Sequence, residues 1–98
     1  MSLGRRLAEQ IDRIWLETAR RKGEGAAERV LGRIAEVLVA LRRQPLMGVP
    51  GRRRGKERRR FLAGEYWIYY RVVDGVARVD GLRHFKQDQS KDWDATNG

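Results

Sequence analysis

The chain has 98 residues, with 22 basic against 13 acidic side chains, a net charge of +9, a single His and no Cys. That length holds one domain with a single modest core, and the missing thiols exclude disulfides, thiolate nucleophiles and thiolate zinc sites together. No metal-ligand or cofactor spacing is present and no apolar run approaches the ~18 residues of a membrane span, so a soluble cytoplasmic protein without metal or cofactor is the expectation.

The first predicted element is a helix from Leu7 to about Arg21, where Leu7, Ile11, Ile14, Trp15 and Thr18 recur at helical spacing and Arg13, Glu17 and Arg20 take the other side. Lys22 to Gly25 breaks it. A second helix is predicted from Ala26 to about Arg43, with Val30, Ile34, Val37, Leu38 and Leu41 as its apolar stripe. Arg42 and Arg43 suit the negative end of the helix dipole, and Pro45 and Gly48 end the helix. A short Gly turn between two such helices predicts an antiparallel helical hairpin.

Charge is concentrated in the middle of the chain, where residues 42–60 carry nine basic and one acidic side chain. Pro50 to Gly55 reads as a loop and Arg58 to Leu62 as a short strand. Arg52, Arg53, Arg54, Lys56, Arg58 and Arg59 form a basic run without interleaved aromatics, so the expected nucleic-acid binding is weak, electrostatic and unspecific.

The segment Phe61 to Asp88 then encodes a β-hairpin. Alternating runs at Glu65–Val73 and Val76–Arg83 flank Asp74-Gly75, a dipeptide suited to a two-residue turn with positive φ angles. A regular ladder from that turn places Val73 opposite Val76, Arg71 opposite Arg78, Tyr69 opposite Asp80 and Trp67 opposite Leu82 on one face. Ile68, Tyr70, Val72, Ala77, Val79 and Gly81 fall on the other, the expected core face. The first face sets two arginines against each other beside aromatics, which marks Trp67, Tyr69, Arg71 and Arg78 as a candidate binding surface. Beyond it, residues 89–98 read as a polar tail, mobile or docked, in which Trp93 is the only large apolar side chain. The predicted fold is α+β: an N-terminal antiparallel helical hairpin packed on one face of a small antiparallel sheet of at least three strands, with one domain over residues 1–88.

This order of elements, with Ala8, Ile11, Ile14 and Trp15 in the first helix, Ala26-Ala27 opening the second, then Leu41, Pro45 and Gly48, resembles the ParE/RelE superfamily of toxins from bacterial toxin–antitoxin pairs. Gly64, the run Tyr66-Trp67-Ile68-Tyr69-Tyr70-Arg71-Val72, and His84, Lys86 and Asp88 after the turn extend the likeness over about 80 residues. The resemblance implies a small α+β toxin neutralised by a cognate antitoxin, expected here to be acidic. It also implies a target, DNA gyrase in the ParE branch or messenger RNA in the ribosomal A site in the RelE branch.

Two departures bear on that choice. Family members begin with a strand before the first helix, and only Met1-Ser2-Leu3-Gly4 precede Arg5, so that strand is expected to be short or missing. The nuclease branch carries an Arg directly after the Tyr opening the motif strand, where this chain has Trp67. A ribosome-dependent endoribonuclease would have to work with Arg71, Arg78, His84 and Lys86, of which only His84 is a candidate base. The ParE-like reading is favoured, the RelE-like nuclease stands as the alternative, and a non-toxic basic nucleic-acid-binding module of the same fold is a third.

Overall fold

The computed structural model describes residues 4–87 and 93–95. Helices α1 (Arg5–Lys22) and α2 (Glu24–Arg43) precede strands β1 (Val49–Arg53), β2 (Lys56–Ala63), β3 (Tyr66–Val73), β4 (Val76–His84) and β5 (Trp93–Ala95). All strand pairs are antiparallel, in the order β4-β3-β2-β1-β5. The α+β architecture is therefore the one the sequence predicts, with a sheet of five strands. A strand before α1 and the closing Asp88 concern positions outside the described residues.

The helical hairpin turns on a single residue. Gly23, at φ 94°, donates its N–H to Ala19 O at the end of α1 and its carbonyl accepts from Ala27 N in α2. A side chain would strain that left-handed geometry. The apolar stripes then meet one face of the sheet: Leu7 and Ile14 from α1 and Ile34, Val37, Leu38 and Leu41 from α2 pack with Ala63, Ile68, Tyr70, Ala77 and Leu82. Each large aliphatic side chain buried there contributes about 1.5–3 kcal/mol. Trp15 is half-buried and lies outside that cluster.

The loop expected at Pro50–Gly55 is instead β1 and a tight turn. Arg54 (φ 53°) and Gly55 (φ 79°) repeat the two-residue geometry of Asp74 (φ 51°) and Gly75 (φ 77°), so the basic run is a second hairpin and β2 begins at Lys56 rather than Arg58. Pro50 sits opposite Arg59 of β2, and among the described residues β5 pairs with Gly51 to Arg53. The sheet also extends past the boundary expected at residue 88, because Trp93 is buried over Gly51, where any Cβ would overlap the indole.

The predicted β3–β4 register holds from Val73↔Val76 to Tyr70↔Val79 and then slips, with Tyr69 opposite Gly81, Ile68 opposite Leu82 and Trp67 opposite Arg83. The pairings expected for Tyr69 with Asp80 and Trp67 with Leu82 are thus corrected by a β-bulge that leaves Asp80 as the extra residue. The physical reason is burial: one inserted residue moves Leu82 from the outer face into the helix-packed core, where it is 7% exposed. Gln10 of α1 fixes the result, donating from Nε2 to Leu82 O (3.2 Å) and accepting Leu82 N–H at Oε1 (3.1 Å).

Tyr70 ties the helices to the sheet. Its phenol donates to Pro45 O (2.7 Å) and accepts from Gly48 N (2.8 Å), and a Cβ on Gly48 would overlap the phenol. Arg59 braces the same linker by donating to Leu46 O and Gly48 O. Burial pushes the Tyr70 phenol above its usual pKa, against the opposing pull of the Gly48 N–H and Arg59. Tyr70→Phe leaves the Gly48 N–H and the Pro45 carbonyl without this partner, at a cost of about 2 kcal/mol or more. For a domain of this size that is a fall in Tm of roughly 10 °C; thermal unfolding should show it, and Tyr66→Phe, at a less buried phenol, should show less.

Candidate functional site

The sheet face away from the helices is built from aromatic rings and guanidinium groups. Register places Arg60 beside Tyr69 and Leu62 beside Trp67. The Arg60 guanidinium lies 4.0 Å from the Trp67 ring centroid and 4.6 Å from that of Trp93. Arg53 lies 4.3 Å over Tyr69, whose edge meets Trp93 at 5.9 Å between centroids. Partly desolvated cation–π contacts of this kind contribute ~1–2 kcal/mol each. Farther along, Arg58 Nε meets Asp80 Oδ2 at 2.8 Å, the bulge residue supplying the carboxylate.

The predicted surface residues divide accordingly. Tyr69 is 2% exposed beneath Arg53 and Trp93, so it supports the face rather than presenting itself. Trp67 is half-buried, and its cross-strand neighbour Leu62 is 41% exposed. Arg71 and Arg78 are exposed and directly opposed. Of the basic run, Arg59 is committed to the linker, Arg53 and Arg58 are held on the outer face, and Arg52, Arg54 and Lys56 are exposed. Arg60, Trp93 and Asp80 are the members that sequence reasoning missed. Alternation with Arg58 along a strand would have signalled Arg60; the partners of Trp93 and Asp80 depend on tertiary contacts.

The four nuclease candidates do not converge. Arg78 and His84 are six residues apart on β4, roughly 20 Å at ~3.3 Å per residue, and Lys86 lies farther on in the single 3-10 turn Phe85–Gln87. His84 does have a carboxylate partner that the sequence did not reveal, with Nε2 3.2 Å from Glu65 Oε2 across the hairpin. Its Nδ1 accepts the Lys86 backbone N–H at 3.1 Å, and its ring stacks on Phe85 with centroids 5.0 Å apart. An Nδ1 that accepts a backbone proton has no lone pair to offer a substrate, and Nε2 must then carry the proton directed at Glu65. The cluster is organised as a strand-end latch.

Residues 2–89 match the family model described as "ParE toxin of type II toxin-antitoxin system, parDE". The chain belongs to the ParE toxin family. A search of curated proteins returns no match. Membership in the ParE family supports a toxin role and implies an antitoxin as partner. Several residues that carry the likeness, Pro45, Gly48 and Tyr70, are joined in the linker clamp and so specify the fold. Among the described residues no group of three or more potential ligands could hold a metal ion, and no helix is long and apolar enough to cross a membrane.

The His84 contact first, and Lys22 next, hold the Glu65 carboxyl below its usual pKa of 4.5. A depressed carboxyl contributes stability that is present above its unfolded pKa and lost as pH falls through the lower folded value. Tm measured from pH 7 down to pH 3 should therefore separate wild type from Glu65→Gln at the neutral end, with the two curves merging at the acid end.

Proposed function

We propose that the chain is a ParE-type toxin that inhibits growth by binding, with DNA gyrase as its target, and that a cognate acidic antitoxin neutralises it by covering the Trp67, Arg71 and Arg78 side of the outer sheet face. The observation that carries the reading is the separation of the Arg71 and Arg78 pair, near the turn of the β3–β4 hairpin, from His84 and Lys86 at its other end. Phosphodiester cleavage needs an acid, a base and a charge stabiliser around one phosphate, and these groups sit at opposite ends of a strand. The Trp67 and Leu62 pair, flanked by Arg60 and Arg83 and with Arg71 farther along the same face, instead has the composition of an interface anchor, an aromatic centre with arginines around it.

Four measurements test this. Purified protein should inhibit supercoiling by gyrase and leave messenger RNA intact in stalled ribosomes with a defined A-site codon. Efficient cleavage by wild type that falls by ~10²-fold or more in His84→Ala would replace the reading with the RelE-like nuclease. Absence of growth arrest on induced expression would favour the non-toxic basic module. For the antitoxin face, Trp67→Ala with Arg71→Ala should weaken the complex by about 2–4 kcal/mol in calorimetry, the scale of central aromatic and Arg anchors. An unchanged Kd would remove the face from the interface.

A further inference from the structure

A cavity of about 520 Å³ opens where the β1–β2 turn curls towards β4 and the start of α1. Its described lining brings together Arg6 from α1, Arg53, Arg54, Lys56 and Arg58 from the β1–β2 hairpin, and Arg83 from β4, with Asp80 as the one acid. These positions span 78 residues of sequence and meet only through the fold, so the cavity is not the same feature as the continuous basic run.

Two of the guanidinium groups are held in place. Arg58 donates from Nη1 to Glu57 O (2.7 Å) while its Nε pairs with Asp80, and its side chain is only 19% exposed. Arg53 is held over the Tyr69 ring, itself wedged against Trp93. Orienting an arginine beforehand removes part of the rotamer entropy that ligand binding otherwise costs. Gly81 in the lining has no side chain to fill the space, and Gln10 fixes the strand edge behind it.

The chemistry of the lining selects the ligand. Among its described lining Leu82 is the one large aliphatic residue and is 7% exposed, so these residues offer little to the apolar anchors that dominate peptide affinity. Closely spaced phosphates need only cations in a concave site, and arginine forks match their oxygens in pairs. The volume lies within the ~300–1,000 Å³ typical of small-molecule sites, room for a nucleotide-sized portion of a flexible strand but not for the width of a duplex. We propose that this cavity binds the phosphodiester backbone of single-stranded nucleic acid, independently of which target the toxin inhibits.

The test is fluorescence anisotropy of a labelled deoxythymidine oligonucleotide of about ten residues, titrated with the full chain between about 50 and 200 mM salt. Arg6→Gln with Lys56→Gln removes two exposed cations from the cavity; Arg53→Gln with Arg58→Gln removes the arginines that Tyr69 and Asp80 hold. Arg13→Gln with Arg29→Gln removes the same charge from exposed helix positions outside the lining. Thermal melts establish that each variant folds, and because Arg6 and Lys56 are exposed, their variant keeps the test valid should the other unfold.

Each folded cavity variant should lose about tenfold in affinity at the lowest salt, and the slope of log K against log salt should flatten by about 1.4, two phosphates at ~0.7 each. The helix variant should lose less than about twofold. Equal losses in cavity and helix variants would overturn the proposal in favour of diffuse net charge, and no binding by wild type would overturn it outright. Displacement of the oligonucleotide by a polyglutamate peptide of equal charge at equal concentration would overturn it in favour of an acidic protein segment. Neither result bears on gyrase inhibition, which is read in a separate assay.

Discussion

One phenolic oxygen governs how the two halves of this protein meet. Tyr70 enters from the middle of the sheet, passes through the core and bonds both ends of the turn that leads out of α2. The helices could pack on the sheet at several angles if apolar contact alone decided, because hydrophobic burial is non-directional. The two hydrogen bonds select one angle, and Arg59 repeats the constraint from the next strand. Gly48 is required there because no other residue leaves room for the ring. The positions of β1 and β2, and with them Arg53, Arg58 and Arg60 on the outer face, follow from that turn.

The sheet keeps its two faces chemically separate. Towards the helices it offers Ala63, Ile68, Tyr70, Ala77 and Leu82; away from them it carries Arg53, Arg58, Arg60, Trp67, Tyr69 and Trp93. A strand that alternated regularly would put Leu82 among the charges. The bulge at Asp80 prevents this and delivers a carboxylate to Arg58 in the same step. The outer face gains order from stacking rather than from aliphatic packing, which suits a surface that must hold its shape while remaining charged.

What could be read from the sequence was local. Stripes at helical spacing located α1 and α2, and Asp74-Gly75 marked its turn because both residues tolerate positive φ. Arg54-Gly55 makes the same turn but carried no such signal, since Arg is not a usual left-handed residue, and Pro50 and Gly51 hid β1. The bulge depends on burying Leu82 against helices some seventy residues away in sequence, and the partner of His84 lies on the other side of a hairpin. Trp93 stood out as apolar in a polar segment, but its seat over Gly51 exists only once the sheet has formed. The candidate site was therefore legible as a face and only partly as a set of residues: Trp67, Arg71 and Arg78 lie on it, Tyr69 supports it from below, and Arg60 completes it.

Gln10 has an effect beyond fixing the register of β4. The outermost strand of any open sheet exposes a row of backbone donors and acceptors that invites another chain to add itself. In this molecule the carboxamide of Gln10, which carries the same donor and acceptor as a peptide group, occupies both positions of Leu82 and acts as a one-residue counterfeit strand. Among the described residues β4 ends the sheet, and pairing by a further strand is interrupted at Leu82, towards its C-terminal end, without a proline or an inward-pointing charge. The donor and the acceptor of Leu82 are thus both engaged by a helix, and a carboxylate at the same position, which accepts but does not donate, would satisfy only half of them.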